Sequence, residues 1–119
     1  PNALTIKAIK TAYTECDDWR EELLDYLKDN RDYLEDRISN IDGLSINHNQ
    51  GTYLAWIDPT ELNLENPWEF FRERAGVNFS NGKDFGKDGY LRANFACTRR
   101  TLIEALDRVE RAVNEINNK

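Results

Sequence analysis

Gly86-Lys87-Asp88-Gly89-Tyr90-Leu91-Arg92-Ala93-Asn94-Phe95-Ala96-Cys97 is the stretch whose reading decides the fold. A turn signal, Asp88-Gly89, leads into strict alternation. Leu91, Ala93, Phe95 and Cys97 fall on one face, and Tyr90, Arg92, Asn94 and Ala96 on the other. A period of two predicts a strand whose apolar side lies on a core while Arg92 and Asn94 leave the opposite side. A guanidinium held on a strand is a pre-oriented fork for a carboxylate or a phosphate. Spacing alone favours the plainer reading, in which Arg92 is the solvated side of a half-buried strand, as is normal in antiparallel sheets.

Downstream, Thr98 caps a final helix with Leu102, Leu106, Val109, Val113 and Ile116 at helical spacing. Upstream, Asn81-Gly82-Lys83-Asp84-Phe85-Gly86 reads as a loop, preceded by a strand over 77–80 with Val77 and Phe79 inward. Asn66-Pro67-Trp68-Glu69 starts a short helix, with Asn as cap and Pro at the first helical position, that ends at Gly76. Before it come strands over 44–48 and 52–58 around the turn residues Asn49-Gln50-Gly51, the second setting Tyr53, Ala55 and Ile57 against Thr52, Leu54 and Trp56 until Asp58-Pro59 stops it. A long helix begins at Asp17 or Asp18, with Glu21 as capping partner, and ends at Asp42-Gly43. Its stripe is Trp19, Leu23, Tyr26 or Leu27, Leu34, Ile38 and Ile41, interrupted by Asn30, and its charged face reads as solvated. Residues 3–14 form a shorter helix with Leu4, Ala8, Ile9, Ala12 and Tyr13 as its stripe. The order predicts an α+β domain, a largely antiparallel sheet of about four strands flanked by amphipathic helices and covered on one face. The other face, carrying Arg92, is left open for something to dock on.

At 119 residues the chain has room for one core. Charged residues are 32% and apolar residues 39% of it, as in a soluble globular domain. The net charge of −6 argues against nucleic acid as partner. No apolar run approaches the roughly 20 residues of a membrane span, so no membrane partner is expected. Two cysteines, Cys16 and Cys97, are too few and too far apart to read as a disulfide framework or a metal site, which points to a reducing, cytoplasmic setting. Cys97 on the apolar face reads as a small buried hydrophobe. The first residue is Pro1, which fits processing or a piece of a longer chain.

Most catalytic templates fail. His48 is the single histidine, flanked by Asn47 and Asn49, and cannot assemble a zinc site with these cysteines. No serine sits in a nucleophile elbow, and the acidic residues are scattered over helix faces rather than paired. Gly82-Lys83-Asp84-Phe85-Gly86 does not match a phosphate-binding loop, and nothing apolar surrounds Lys83 to activate its amine.

Three segments carry a resemblance. Gly51-Thr52-Tyr53-Leu54-Ala55-Trp56, then Gly76-Val77-Asn78-Phe79-Ser80 leading to Phe85-Gly86, then Gly89-Tyr90-Leu91-Arg92-Ala93-Asn94-Phe95-Ala96 with its capped helix resemble the C-terminal part of fold-type I pyridoxal-phosphate enzymes. The match is to the aminotransferase branch containing carbon–sulfur lyases of the cystathionine beta-lyase type, the MalY/PatB group. Asn2-Ala3-Leu4 and Ala12-Tyr13 through Asp18-Trp19 resemble that group's helix crossing from the large domain to the small one.

The resemblance implies that residues 1–119 are the C-terminal small domain, with 1–15 part of the linking helix. It implies that Arg92 binds the α-carboxylate of an amino-acid substrate, with Asn94 and Tyr53 as further substrate-side residues. The parent would use pyridoxal 5'-phosphate as an aminotransferase or β-C–S lyase, on an amino acid such as cystathionine, and would be a homodimer in which this chain packs on its own large domain. None of Lys7, Lys10, Lys28, Lys83, Lys87 or Lys119 matches the cofactor-bearing lysine, so this chain alone is expected neither to hold the cofactor nor to turn over substrate. The alternative is a stand-alone module that captures acidic ligands or a protein on its open sheet face.

Overall fold

The computed structural model describes residues 1–117. Its helices are α1 (Ala3–Thr14), α2 (Asp17–Ser39), α3 (Pro67–Phe70) and α4 (Arg99–Asn117), and its strands β1 (Ser45–Ile46), β2 (Leu54–Asp58), β3 (Ser80–Asn81) and β4 (Leu91–Asn94). The strands form one sheet in the order β1-β2-β4-β3 with every pairing antiparallel, so β4 is paired on both edges. The α+β class and the antiparallel sheet expected from the sequence are both present.

The core lies on one face of the sheet. Ala55 and Ile57 of β2, and Leu91 and Ala93 of β4 followed by Phe95, meet Leu34 and Ile38 of α2 and Leu102, Leu106, Val109 and Val113 of α4. Two helix starts carry the expected side-chain caps. The Asn66 amide oxygen accepts from the Glu69 N–H with Pro67 in the first turn, and the Thr98 hydroxyl accepts from the Thr101 N–H. After α3 the chain widens into a π-type turn, Phe71–Ala75, and stops at Gly76 in the left-handed region at φ 64°. Phe71 in that turn is fully buried and meets Phe79 edge-on at 5.8 Å between ring centres.

Four expectations need correction. The start of α2 is not capped by Asp18: Arg20 N–H bonds to the Cys16 carbonyl, so Asp17 and Asp18 fall inside the first turn, where carboxylates suit the positive helix end. The hairpin strands are shorter than 44–48 and 52–58, because Glu35 of α2 captures the connection. Its carboxylate accepts from the Asn49 N–H at 2.8 Å and meets His48 Nδ1 at 2.8 Å, which engages the lone histidine. Thr52 then sits at φ 63° with its hydroxyl accepting from the Leu54 N–H. Third, the strand expected over 77–80 pairs only at Ser80–Asn81, since the Trp68 indole N–H takes the Phe79 carbonyl at 2.9 Å; Val77 and Phe79 still pack on the core.

The fourth correction concerns the apolar stripes of α1 and early α2. Helix α1 has no buried residue, with Leu4 82% and Tyr13 83% exposed, and Trp19, Leu23 and Tyr26 are exposed as well. The stripe reaches the core only from Leu27 onward. Accordingly the radius of gyration is 17.3 Å, where a compact domain of this length has about 13–14 Å.

Asn30, in the middle of that stripe, is fully buried. Its amide NH2 donates to the carbonyls of Phe95 and Cys97, each at 2.9 Å, which fastens the midpoint of α2 to the segment leaving β4. Both neighbours are acceptors, so only a double donor satisfies them. Replacing Asn30 by Ala strands one buried and one part-buried carbonyl and is expected to cost about 2–4 kcal/mol, read as a lower urea midpoint. A cost under about 0.5 kcal/mol, the level of an ordinary surface change, would refute the tether.

Candidate functional site

Arg92 lies mid-strand on β4, opposite Trp56 of β2 on one side and Ser80 of β3 on the other. Its neighbours in sequence, Leu91 and Ala93, are buried in the core, so alternation sends Arg92 to the open face, where it is half-buried. The guanidinium carbon stands 3.5 Å from the centre of the Phe85 ring. Among the described residues Arg92 takes part in no ion pair, and its Nε is buried without a hydrogen-bond partner. A half-buried permanent cation with no counter-charge is costly, and an anion on its terminal nitrogens would offset that cost.

The 82–90 loop brings Phe85 to this position. Gly82 N–H donates to the Tyr90 carbonyl at 2.8 Å, and Lys87 N–H donates back to the Gly82 carbonyl at 2.9 Å. A Cβ on residue 82 would run into the carbonyls of Lys87 and Tyr90, so only glycine closes the loop. The Asn81 amide oxygen caps the turn by accepting from the Lys83 N–H, and Gly86 leaves it at φ 78°.

A second cluster adjoins the loop. The Tyr90 hydroxyl donates to Asp58 Oδ2 at 2.7 Å, and Lys87 Nζ stands 3.7 Å over the Tyr90 ring and 5.8 Å from that of Trp56. Burial pushes the Asp58 carboxyl up, but hydrogen bonds from Thr60 and Tyr90 and the charge of Lys87 outweigh it and hold it below its ordinary value. The bond to Asp58 in turn raises the Tyr90 phenol.

The other expected site residues are placed differently. Asn94 also leaves the open face, but its amide oxygen accepts from the Ala96 N–H at 2.9 Å and forms no hydrogen bond with Arg92. Tyr53 precedes β2 and lines a separate apolar groove with Leu23, Tyr26, Leu27 and Cys97. Cys97 is partly buried there, and desolvation raises its thiol. Phe85, Trp56 and Lys87 were not among the expected site residues. The available signal was slight: Phe85 is an aromatic in an otherwise polar loop, and a lone exposed apolar residue is common on protein surfaces. Among the described residues no cluster of His, Cys, Asp and Glu is arranged to hold a metal, and no helix is long and apolar enough to cross a membrane.

Residues 3–109 match the family model described as aminotransferase class I and II. The chain belongs to that family. It is 34% identical over 110 residues to cystathionine beta-lyase of Corynebacterium glutamicum, covering 89% of this chain and 29% of the relative, and 32% identical over 107 residues to MalY of Escherichia coli, covering 86% and 27%. Its structure superposes on cystalysin from Treponema denticola, which contains pyridoxal 5'-phosphate, with a TM-score of 0.88 at 27% identity over 96% of this chain and 30% of that one. The expected kinship with the cystathionine beta-lyase and MalY group of fold-type I enzymes is thus present, and the chain spans about three-tenths of the length of these relatives.

The Asp58–Tyr90 bond carries a pH signature. A carboxyl depressed in the folded state adds stability that is complete above its unfolded value, about 3.9, and is lost as pH falls through the folded value. Tyr90→Phe removes one depressing contact, so the fall in melting temperature between pH 6 and pH 3 should shrink. An identical fall in both proteins would show that the bond does not set the Asp58 titration.

Proposed function

We propose that this chain is the substrate-carboxylate-binding small domain of a pyridoxal-phosphate aminotransferase or β-C–S lyase, with Arg92 as the clamp. The observation that carries this reading is an unpaired guanidinium, half-buried and stacked on a ring, on an inner strand of a member of this family. A planar fork matches a carboxylate in two parallel hydrogen bonds, fixing the orientation of an amino acid as well as its affinity. Asn94 enters this reading as the residue that shapes the exit of β4, and Tyr53 as part of the wall nearer α2.

In this reading none of the chain's own lysines carries pyridoxal phosphate. Lys87 is engaged over Tyr90, while Lys7, Lys10, Lys28 and Lys83 are exposed, and Lys119 lies outside the described residues. In this reading the cofactor lysine and phosphate cup belong to a large domain, the chain alone is inactive, and no step of the cofactor's chemistry is routed through it. The exposed apolar residues Leu4, Ile9, Tyr13 and Trp19 support a packing surface on α1 and early α2 for that domain, in a homodimeric cytoplasmic enzyme. A stand-alone binding module would use the same Arg92 face, and no observation favours it over the enzyme.

The test is Arg92→Ala in the full-length enzyme. Loss of a charge-assisted fork, about 2–3 kcal/mol, predicts an amino-acid KM raised about 30- to 150-fold with cofactor absorbance intact. Arg92→Lys keeps the charge and loses the fork, and should recover only part of the loss. Unchanged kinetics in Arg92→Ala would end the proposal.

A further inference from the structure

Among the described residues Phe85 has no partner in the apolar core. It sits in a loop of polar and glycine residues and is 48% exposed, so the core does not account for it. Its ring lies under the guanidinium at 3.5 Å, much closer than the 5.1 Å between Arg99 and Tyr33 or the 5.6 Å between Arg37 and Tyr33 elsewhere in the chain. The loop bonds through Gly82, Lys87 and Tyr90 deliver the ring there and tolerate no side chain at residue 82.

Two consequences follow for the guanidinium. An arginine side chain on an open sheet face has several rotatable bonds, and stacking on a fixed ring removes much of that freedom before a ligand arrives. With Nε already enclosed, the side-on edge formed by Nε and one terminal nitrogen is closed to a ligand. The terminal Nη pair is the edge left for two parallel hydrogen bonds.

We infer that Phe85 is a positioning residue for Arg92, holding the guanidinium so that a carboxylate is taken end-on by its two terminal nitrogens. The inference rests on the carboxylate reading of Arg92 and adds to it the residue that pre-organises the fork. Phe85 touches neither substrate nor cofactor in this account.

The experiment compares Phe85→Leu, Phe85→Trp and Arg92→Ala in the full-length enzyme, with kcat and KM for its amino-acid substrate and the melting temperature of each. Phe85→Leu keeps apolar bulk and removes the ring face, and should raise KM about 5- to 20-fold, the range of a partly desolvated cation–π contact, with kcat within about twofold. Phe85→Trp restores a ring face and should return KM to within about threefold of the parent. If Arg92→Ala is impaired while Phe85→Leu matches the parent, the positioning role is refuted and the clamp stands. If Phe85→Leu and Phe85→Trp are equally impaired and both melt lower, the role is structural and the inference falls. If Arg92→Ala itself behaves as the parent, the carboxylate reading falls and takes this inference with it.

Discussion

Strand β4 is hydrogen-bonded along both edges, so its side chains have two directions available and no third. Leu91 and Ala93 fill the core on one side, and Arg92 is thereby committed to the other. A one-residue slip would bury the guanidinium and expose Leu91. The apolar packing that stabilises the domain is therefore also what aims the cation, and the two cannot be varied independently. Trp56 and Ser80 stand opposite Arg92 in the register, so the neighbouring strands set the surroundings of the site.

Direction along β4 was legible in the sequence because alternation is a local property of the backbone. The Asn66 and Thr98 caps were legible for a similar reason, as each depends on residues within one helical turn. The ends of the strands were not. His48 and Asn49 are drawn to Glu35, which lies 13 and 14 positions away, and the Phe79 carbonyl goes to Trp68. Such bonds between side chain and backbone compete with the ladder, and periodicity holds no record of them.

The same contrast divides the site. Arg92 was visible as an outward residue, but its stacking partner was not, because Phe85 arrives by a loop whose closure depends on carbonyls contributed by Lys87 and Tyr90. Asn30 is the clearest case. In sequence it reads as a polar interruption of an apolar stripe, whereas in the fold it satisfies two carbonyls about 65 residues downstream. A buried polar group becomes intelligible only when its distant acceptors are in place.

Asn30 also explains how the two parts of the chain are coupled. The core half holds itself together through the sheet, the second half of α2, and α4. Helix α1 and the first turns of α2 bury almost nothing, and a helix of 12 residues is marginal without packing partners. Yet α2 runs unbroken through both regions for 23 residues, and its midpoint is bonded to the segment that leaves β4. A body packed on the exposed half of α2 would therefore be joined to the Arg92 strand through one helix and one buried amide. In the proposed role of Arg92, the orientation of its guanidinium depends on Phe85 and the loop, while the placement of β4 relative to α1 depends on α2 and the Asn30 bonds. Those are separable requirements, because the residues that meet the first are not the ones that meet the second.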